Sequence, residues 1–236
     1  MLQSSNSIVS NTGGTESAMR SQLMDAIICQ RLAPGQKVTE TGLAEMLSTS
    51  RTVARSLMEQ LIVQGFLVSV SARMTRVSPL TIVSIKENFL LRRMIMPELI
   101  AMSISDVDLE ALDSLNQKIS SIEVNRDDDR VLELLRLNRE FNLMLIEGSK
   151  YSLPKAWARL LEDMAMRIYW IYVKQHGKLP FVSHHESHFK AMQEDNPTRV
   201  ASIVRKTLEQ NEERILNAVF AGEHFYTHDI VVEANE

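Results

Sequence analysis

The spacing of apolar residues changes along the chain, and the changes divide it. Over 17–32, Met19, Leu23, Ala26, Ile27 and Leu32 recur at helical spacing, and Pro34-Gly35 closes that helix. Thr39 is placed to cap a short second helix, 40–47, with Leu43, Ala44 and Leu47 inward. Ser50 is placed to cap a third, 51–64, with Val53, Leu57, Leu61 and Ile62 inward and Gly65 just past its end. After Gly65 the period falls to two: Phe66 to Val70, then Met74 to Val77, reads as a β-hairpin. Three helices followed by a hairpin predict a winged helix-turn-helix.

Beyond Ser78-Pro79 the pattern is helical throughout. It predicts helices near 81–103, 106–124, 128–149, 152–176, 181–194 and 197–219, separated by polar or Gly/Pro-containing breaks. Pro97 falls inside the first and is expected to kink it. Short connections predict an antiparallel bundle of about six helices. The resulting division is a flexible leader over 1–16, the winged head over 17–78, the helical body over 79–221 and a tail over 222–236. The fold class is mainly α.

Composition adds exclusions. With 236 residues the chain can build two cores. No apolar run approaches the roughly 18 residues of a membrane span, and the polar N-terminus lacks secretory-signal features. A single cysteine, Cys29, permits neither an intrachain disulfide nor a cysteine-based metal site. A cytoplasmic location is the expectation. The net charge of −4 is unevenly spread: residues 1–80 carry seven basic and five acidic side chains, the remainder 19 and 25. A basic head on an acidic body suits nucleic acid binding at the head alone.

In that head, Ser50, Arg51, Thr52 and Arg55 fall at the start of the third helix, largely off its apolar face. A recognition helix enters the major groove with its N-terminal residues toward the base edges, where arginine bonds guanine O6 and N7. Serine and threonine beside free backbone N–H groups suit phosphate. Arg73, at the hairpin tip, is placed to meet a neighbouring groove or the backbone. The run Thr39–Leu67, with Pro34-Gly35, Glu40 to Ala44, Ser50 to Arg55 and the Gly65-Phe66-Leu67 exit, resembles the head of the GntR family of bacterial regulators. That resemblance implies DNA reading by Arg51, Thr52, Arg55 and Arg73. A further arginine, usual in the second helix, is Thr41 here. Val53 and Ser56 replace the family's proline and glutamate, and Met74 its wing glycine.

The body is similar to the FCD effector domain of the FadR-like branch of that family, and its six helices look more like the VanR-type group. The resemblance implies a homodimer, a double-stranded DNA operator and a small carboxylate effector held with a divalent metal by one aspartate and three histidines. The matching positions here are Asn138, Asn142, His185 and Thr207, so one ligand of four is kept. Neutral amides and a hydroxyl are poor ligands for zinc or nickel. In His184-His185-Glu186-Ser187-His188 the glutamate is out of place for an HExxH motif. The expectation is therefore no metal cofactor, the alternative being a divalent ion at His185. The same four residues with Arg92, the position of the family's arginine on the first body helix, form the expected effector site, with Arg92 or its neighbour Arg93 placed to hold an anionic ligand. The thirteen methionines are assigned to core packing, and Trp157, Tyr169, Trp170 and Tyr172 to core or dimer interface. No nucleophile–base set or phosphate loop points to an enzyme. The function expected is a DNA-binding transcription repressor modulated by a small molecule, with no membrane partner. The alternative is a regulator that has lost ligand sensing or answers to a protein.

Overall fold

The computed structural model describes residues 9–71, 73–124, 127–180, 191, 192 and 196–221. The chain separates into two compact units, Met1–Pro79 and Leu80–Glu236.

In the first unit, α1 spans Val9–Ile28, so it starts inside the segment that the sequence pattern assigns to a flexible leader. An existing helix extends at one backbone hydrogen bond per residue and needs no amphipathic face to do so. It ends four residues before the expected Leu32, because Gln30 adopts a positive φ of 56°. Helix α2 is Glu40–Met46, capped by the Thr39 hydroxyl, which accepts from Gly42 N at 3.1 Å. Helix α3 is Arg51–Val63, capped by Ser50 Oγ, which accepts from Val53 N at 3.3 Å. Its buried face is Ala54, Leu57, Met58 and Leu61; Val53 and Ile62, expected inside, are half-buried. The i, i+3, i+4, i+7 spacing of the buried four is that of one helix face. Gly65, at φ 77°, ends α3: Gly65 N donates to Ile62 O and Phe66 N to Leu61 O, the paired bonds of a Schellman stop.

Strands β2 (Leu67–Ser71) and β3 (Met74–Val77) form the expected hairpin, with a bulge between Ser69 and Ser71. A third strand, β1 (Lys37–Val38), pairs antiparallel with β3 and gives the order β1-β3-β2. Two residues cannot display a period, so pattern reading misses β1. Arg76 Nη1 donates to Gly35 O at 2.7 Å and ties β3 to the Pro34-Gly35 turn.

In the second unit, α4 spans Ile82–Ser103, entered through a capping box between Thr81 and Ser84. It runs on through Pro97. A 3-10 turn, Ile104–Asp106, and the cap Asp108 set the start of α5, Leu109–Ser121, later than periodicity suggests. Helix α6 is Asp128–Met144. It stops short of 149 because Ile146 and Glu147 bond three residues back rather than four, the tightening that closes a last turn. Helix α7 is Ser152–His176, stopped by Gly177 at φ 69°, and α8 is Pro197–Ala221. The helix expected near 181–194 lies outside the described residues, except Ala191 and Met192, which are helical and buried. Helix α4 packs on α7 and α8, α7 on α6 and α8, and α6 on α5. Tyr169, Trp170 and Tyr172 are core, whereas Trp157 is 53% exposed.

Candidate DNA-reading face and buried polar cluster

Two places collect the residues singled out from the sequence, one in each unit. In the first, the Ser50 cap fixes where α3 begins and leaves Arg51, Thr52 and Arg55 exposed. The buried stripe of Ala54, Leu57, Met58 and Leu61 turns these residues outward. Arg51 and Thr52 have no side-chain partner among the described residues. Arg55 does: Nε donates to Glu59 Oε1 at 3.1 Å and lies 3.8 Å from Glu40 Oε1. The Glu59 hydrogen bond, then the charges of Glu40 and Glu59, raise its pKa above the ordinary value. Thr41, where the resemblance places an arginine, is half-buried. Its neighbour Glu40 supplies an acidic group to α3 instead. Ser50 spends its hydroxyl as the cap. Arg73 is exposed on the wing, with its backbone N bonded to Ser71 Oγ at 3.4 Å.

The second place is the interior of the helical unit. Asn88 and Arg92 lie one turn apart on α4, Asn138 and Asn142 one turn apart on α6, and Thr207 and Asn211 one turn apart on α8. Helix α7 contributes Glu162 and Tyr169. The Arg92 side chain is 3% exposed and that of Glu162 1%. Arg92 Nη2 meets Glu162 Oε1 at 2.7 Å, Nε donates to the same oxygen at 2.9 Å, and Nη1 donates to Tyr169 Oη at 2.8 Å. Asn142 Nδ2 donates to Glu162 Oε2 at 2.8 Å. The guanidinium also stands over the Phe89 and Tyr169 rings, 5.5 and 5.7 Å from their centroids. Burial opposes the charge of Arg92, but Glu162 and Tyr169 outweigh it, and its pKa lies above the ordinary value. Burial raises the Tyr169 pKa, so its hydroxyl stays protonated.

The structure thus brings Arg92 and Asn142 together on Glu162. Asn138 is buried beside them in sequence, Thr207 is half-buried on α8, and His185, with His184 and His188, lies outside the described residues. Sequence reasoning missed Glu162. It interrupts the apolar face Ala158, Leu161, Ala165, Met166 and Tyr169, and a lone carboxylate in such a face needs a buried cation. That interruption was the signal for the Arg92 pair. Asn138, Asn142 and Thr207 are neutral, the carboxylate of Glu162 is committed to Arg92, and no group of three or more His, Cys, Asp or Glu converges among the described residues. No helix among them is long and apolar enough to cross a membrane.

Residues 87–210 match the model of the FCD domain family. No curated protein matches the chain. Among solved structures, E. coli McbR/YncC aligns with TM-score 0.70 at 16% identity, covering 86% of this chain and 98% of that one. A putative GntR transcriptional regulator from Rhodococcus sp. RHA1 aligns with TM-score 0.67 at 18% identity, covering 87% and 99%. A GntR family member from Pseudomonas syringae pv. tomato aligns with TM-score 0.52 at 18% identity, covering 88% of each chain. A winged first unit joined to a helical second unit that carries this match leaves one assignment: the chain belongs to the FCD-domain family and has the fold of GntR-type regulators.

Proposed function

We propose that the protein is a cytoplasmic, homodimeric transcription repressor that binds double-stranded operator DNA through its winged unit and is released from it by a small molecule bound in its helical unit. The observation that carries the reading is the start of α3. Arg51 and Thr52 stand exposed and unengaged among the described residues, on a helix anchored by four buried side chains, with Arg73 on the adjoining wing. That is the arrangement by which a recognition helix reads bases while a wing holds the backbone. Family and fold favour a regulator over an enzyme.

The test is fluorescence anisotropy with duplex DNA from upstream of the protein's own coding sequence. Replacing Arg51 by alanine is expected to weaken binding about tenfold or more with no change in melting temperature. Wild-type affinity in Arg51→Ala and Arg73→Ala together would sink the reading.

Two finer points follow. The effector unit works without a metal, because three of the family's four ligand positions hold amide or hydroxyl side chains, Asn138, Asn142 and Thr207; stoichiometric zinc, nickel or manganese after metal-free purification would contradict this. The dimer forms through α4, whose Val83, Leu90 and Met94 share one exposed face at 63%, 51% and 65%. The carboxylate effector that the sequence resemblance implies meets an obstacle at Arg92. Glu162 already holds that guanidinium, so an incoming anion must displace a buried partner.

A further inference from the structure

Four buried amide oxygens in the helical unit have no hydrogen-bond partner among the described residues: Asn88 Oδ1, Asn138 Oδ1, Gln210 Oε1 and Asn211 Oδ1. One of them, Asn211, belongs to the network around Arg92, and Asn88 and Asn138 each lie one helical turn from a member of it. Asn88 lies one turn before Arg92, and its amide is oriented by donation from Nδ2 to Leu161 O at 3.0 Å, so the oxygen is the free end. Asn211 hydrogen-bonds Tyr169, whose hydroxyl accepts from Arg92. Asn138 lies one turn before Asn142, which donates to Glu162. Folded proteins leave few buried polar atoms without a partner, and those left here are all acceptors.

We propose that this cluster binds an electroneutral small molecule rich in hydroxyl or amide N–H donors, and that Glu162 sets that specificity by occupying Arg92. The inference deepens the reading of the helical unit as an effector domain and rests on it. Charge decides the class. Arg92 and Glu162 cancel, and the carboxylate is satisfied on one oxygen by Arg92 and on the other by Asn142. An anion entering here faces amide carbonyl oxygens and a like-charged Glu162, and the Arg92 guanidinium is already held by that carboxylate. A cation would be buried without a counter-charge, since Glu162 is already matched. A neutral donor-bearing ligand satisfies the amide oxygens at no cost in charge. Asn142, the half-buried member of the network, marks its accessible rim.

Three probes on one four-carbon skeleton separate the classes: 1,4-butanediol, putrescine and succinate. Each is titrated into the full chain by thermal shift and calorimetry, for wild type and for Glu162→Gln. Wild type is expected to show saturable stabilisation by the diol and none by succinate or putrescine. Glu162→Gln, in which Arg92 is opened to an anion, is expected to bind succinate at least tenfold more tightly than wild type does. Saturable succinate binding by wild type overturns the proposal, as does a folded Glu162→Gln that gains none. Absence of any diol response in wild type assigns the oxygens to bound water and overturns it too. If Glu162→Gln does not fold, Asn88→Leu serves instead: loss of the diol response by at least tenfold supports the site, and a retained response overturns it. The Arg51→Ala binding assay is independent of these titrations, so a failure of the regulator reading and a failure of this site are told apart.

Discussion

Glu162 has one ionic partner in the described structure, Arg92, and the two are buried together. Removing either member alone leaves an uncompensated buried charge, which costs about 3–5 kcal/mol. Replacing both by apolar residues of similar volume is often neutral. Denaturant melts of Arg92→Met, Glu162→Leu and the double variant should therefore show two strongly destabilised single variants and a double variant close to wild type. Additive losses in the double variant would show that the pair is not a unit. The resemblance to the FCD domain places Arg92 in a ligand site by its position on one helix alone. Its partner, 70 residues away on another helix, is visible only once α4 and α7 are packed together. Arg55 carries a similar lesson on the surface: its position suits DNA, but Glu40 and Glu59 compete for it.

At the level of elements, helices were legible wherever a cap or a breaker stood beside a periodic run. Thr39, Ser50, Gly65 and Gly177 each mark an end where the pattern places one. What escaped were features without a period or without a local marker: the two-residue β1, the early stop of α1 at Gln30, and the 3-10 turn before α5. Two glycines test the structural account. Gly65 holds a left-handed conformation, so Gly65→Ala is expected to cost about 1–2 kcal/mol. A Cβ added at Gly148 would lie 2.5 Å from Asp106 Cβ, so Gly148→Ala forces the turn after α6 away from the 3-10 turn, at about 1–3 kcal/mol. Equilibrium unfolding of each variant checks both, and wild-type stability in Gly148→Ala would refute the close packing.

At the scale of the whole molecule, two units with separate cores imply more than one cooperative transition. Calorimetry is expected to show Gly65→Ala moving one transition and Gly148→Ala the other; a single transition shifted equally by both would contradict the division. The proposed dimer is tested on α4. Leu90→Glu with Met94→Glu places charges on the exposed apolar face without touching the core, and light scattering should then report a monomer. An unchanged dimer would move the interface elsewhere. The two-unit architecture was legible from the change in periodicity at Ser78-Pro79, whereas which side chains meet inside the second unit was not, since every pairing there joins different helices.

The tie between Arg76 and the Gly35 carbonyl has a thermodynamic consequence for DNA. It withdraws one guanidinium from the wing, so that Arg73 is the outward cation of the hairpin and Arg51 the unengaged one at the start of α3. Each cation that neutralises a phosphate releases condensed counterions, and log Kobs falls with log salt by about 0.9 per phosphate. On the wing, Arg73 supplies one such contact per copy, a share of about −0.9 in that slope. Arg73→Ala is therefore expected to make the slope shallower by about 1 per copy, and an unchanged slope would take the wing arginine off the DNA backbone.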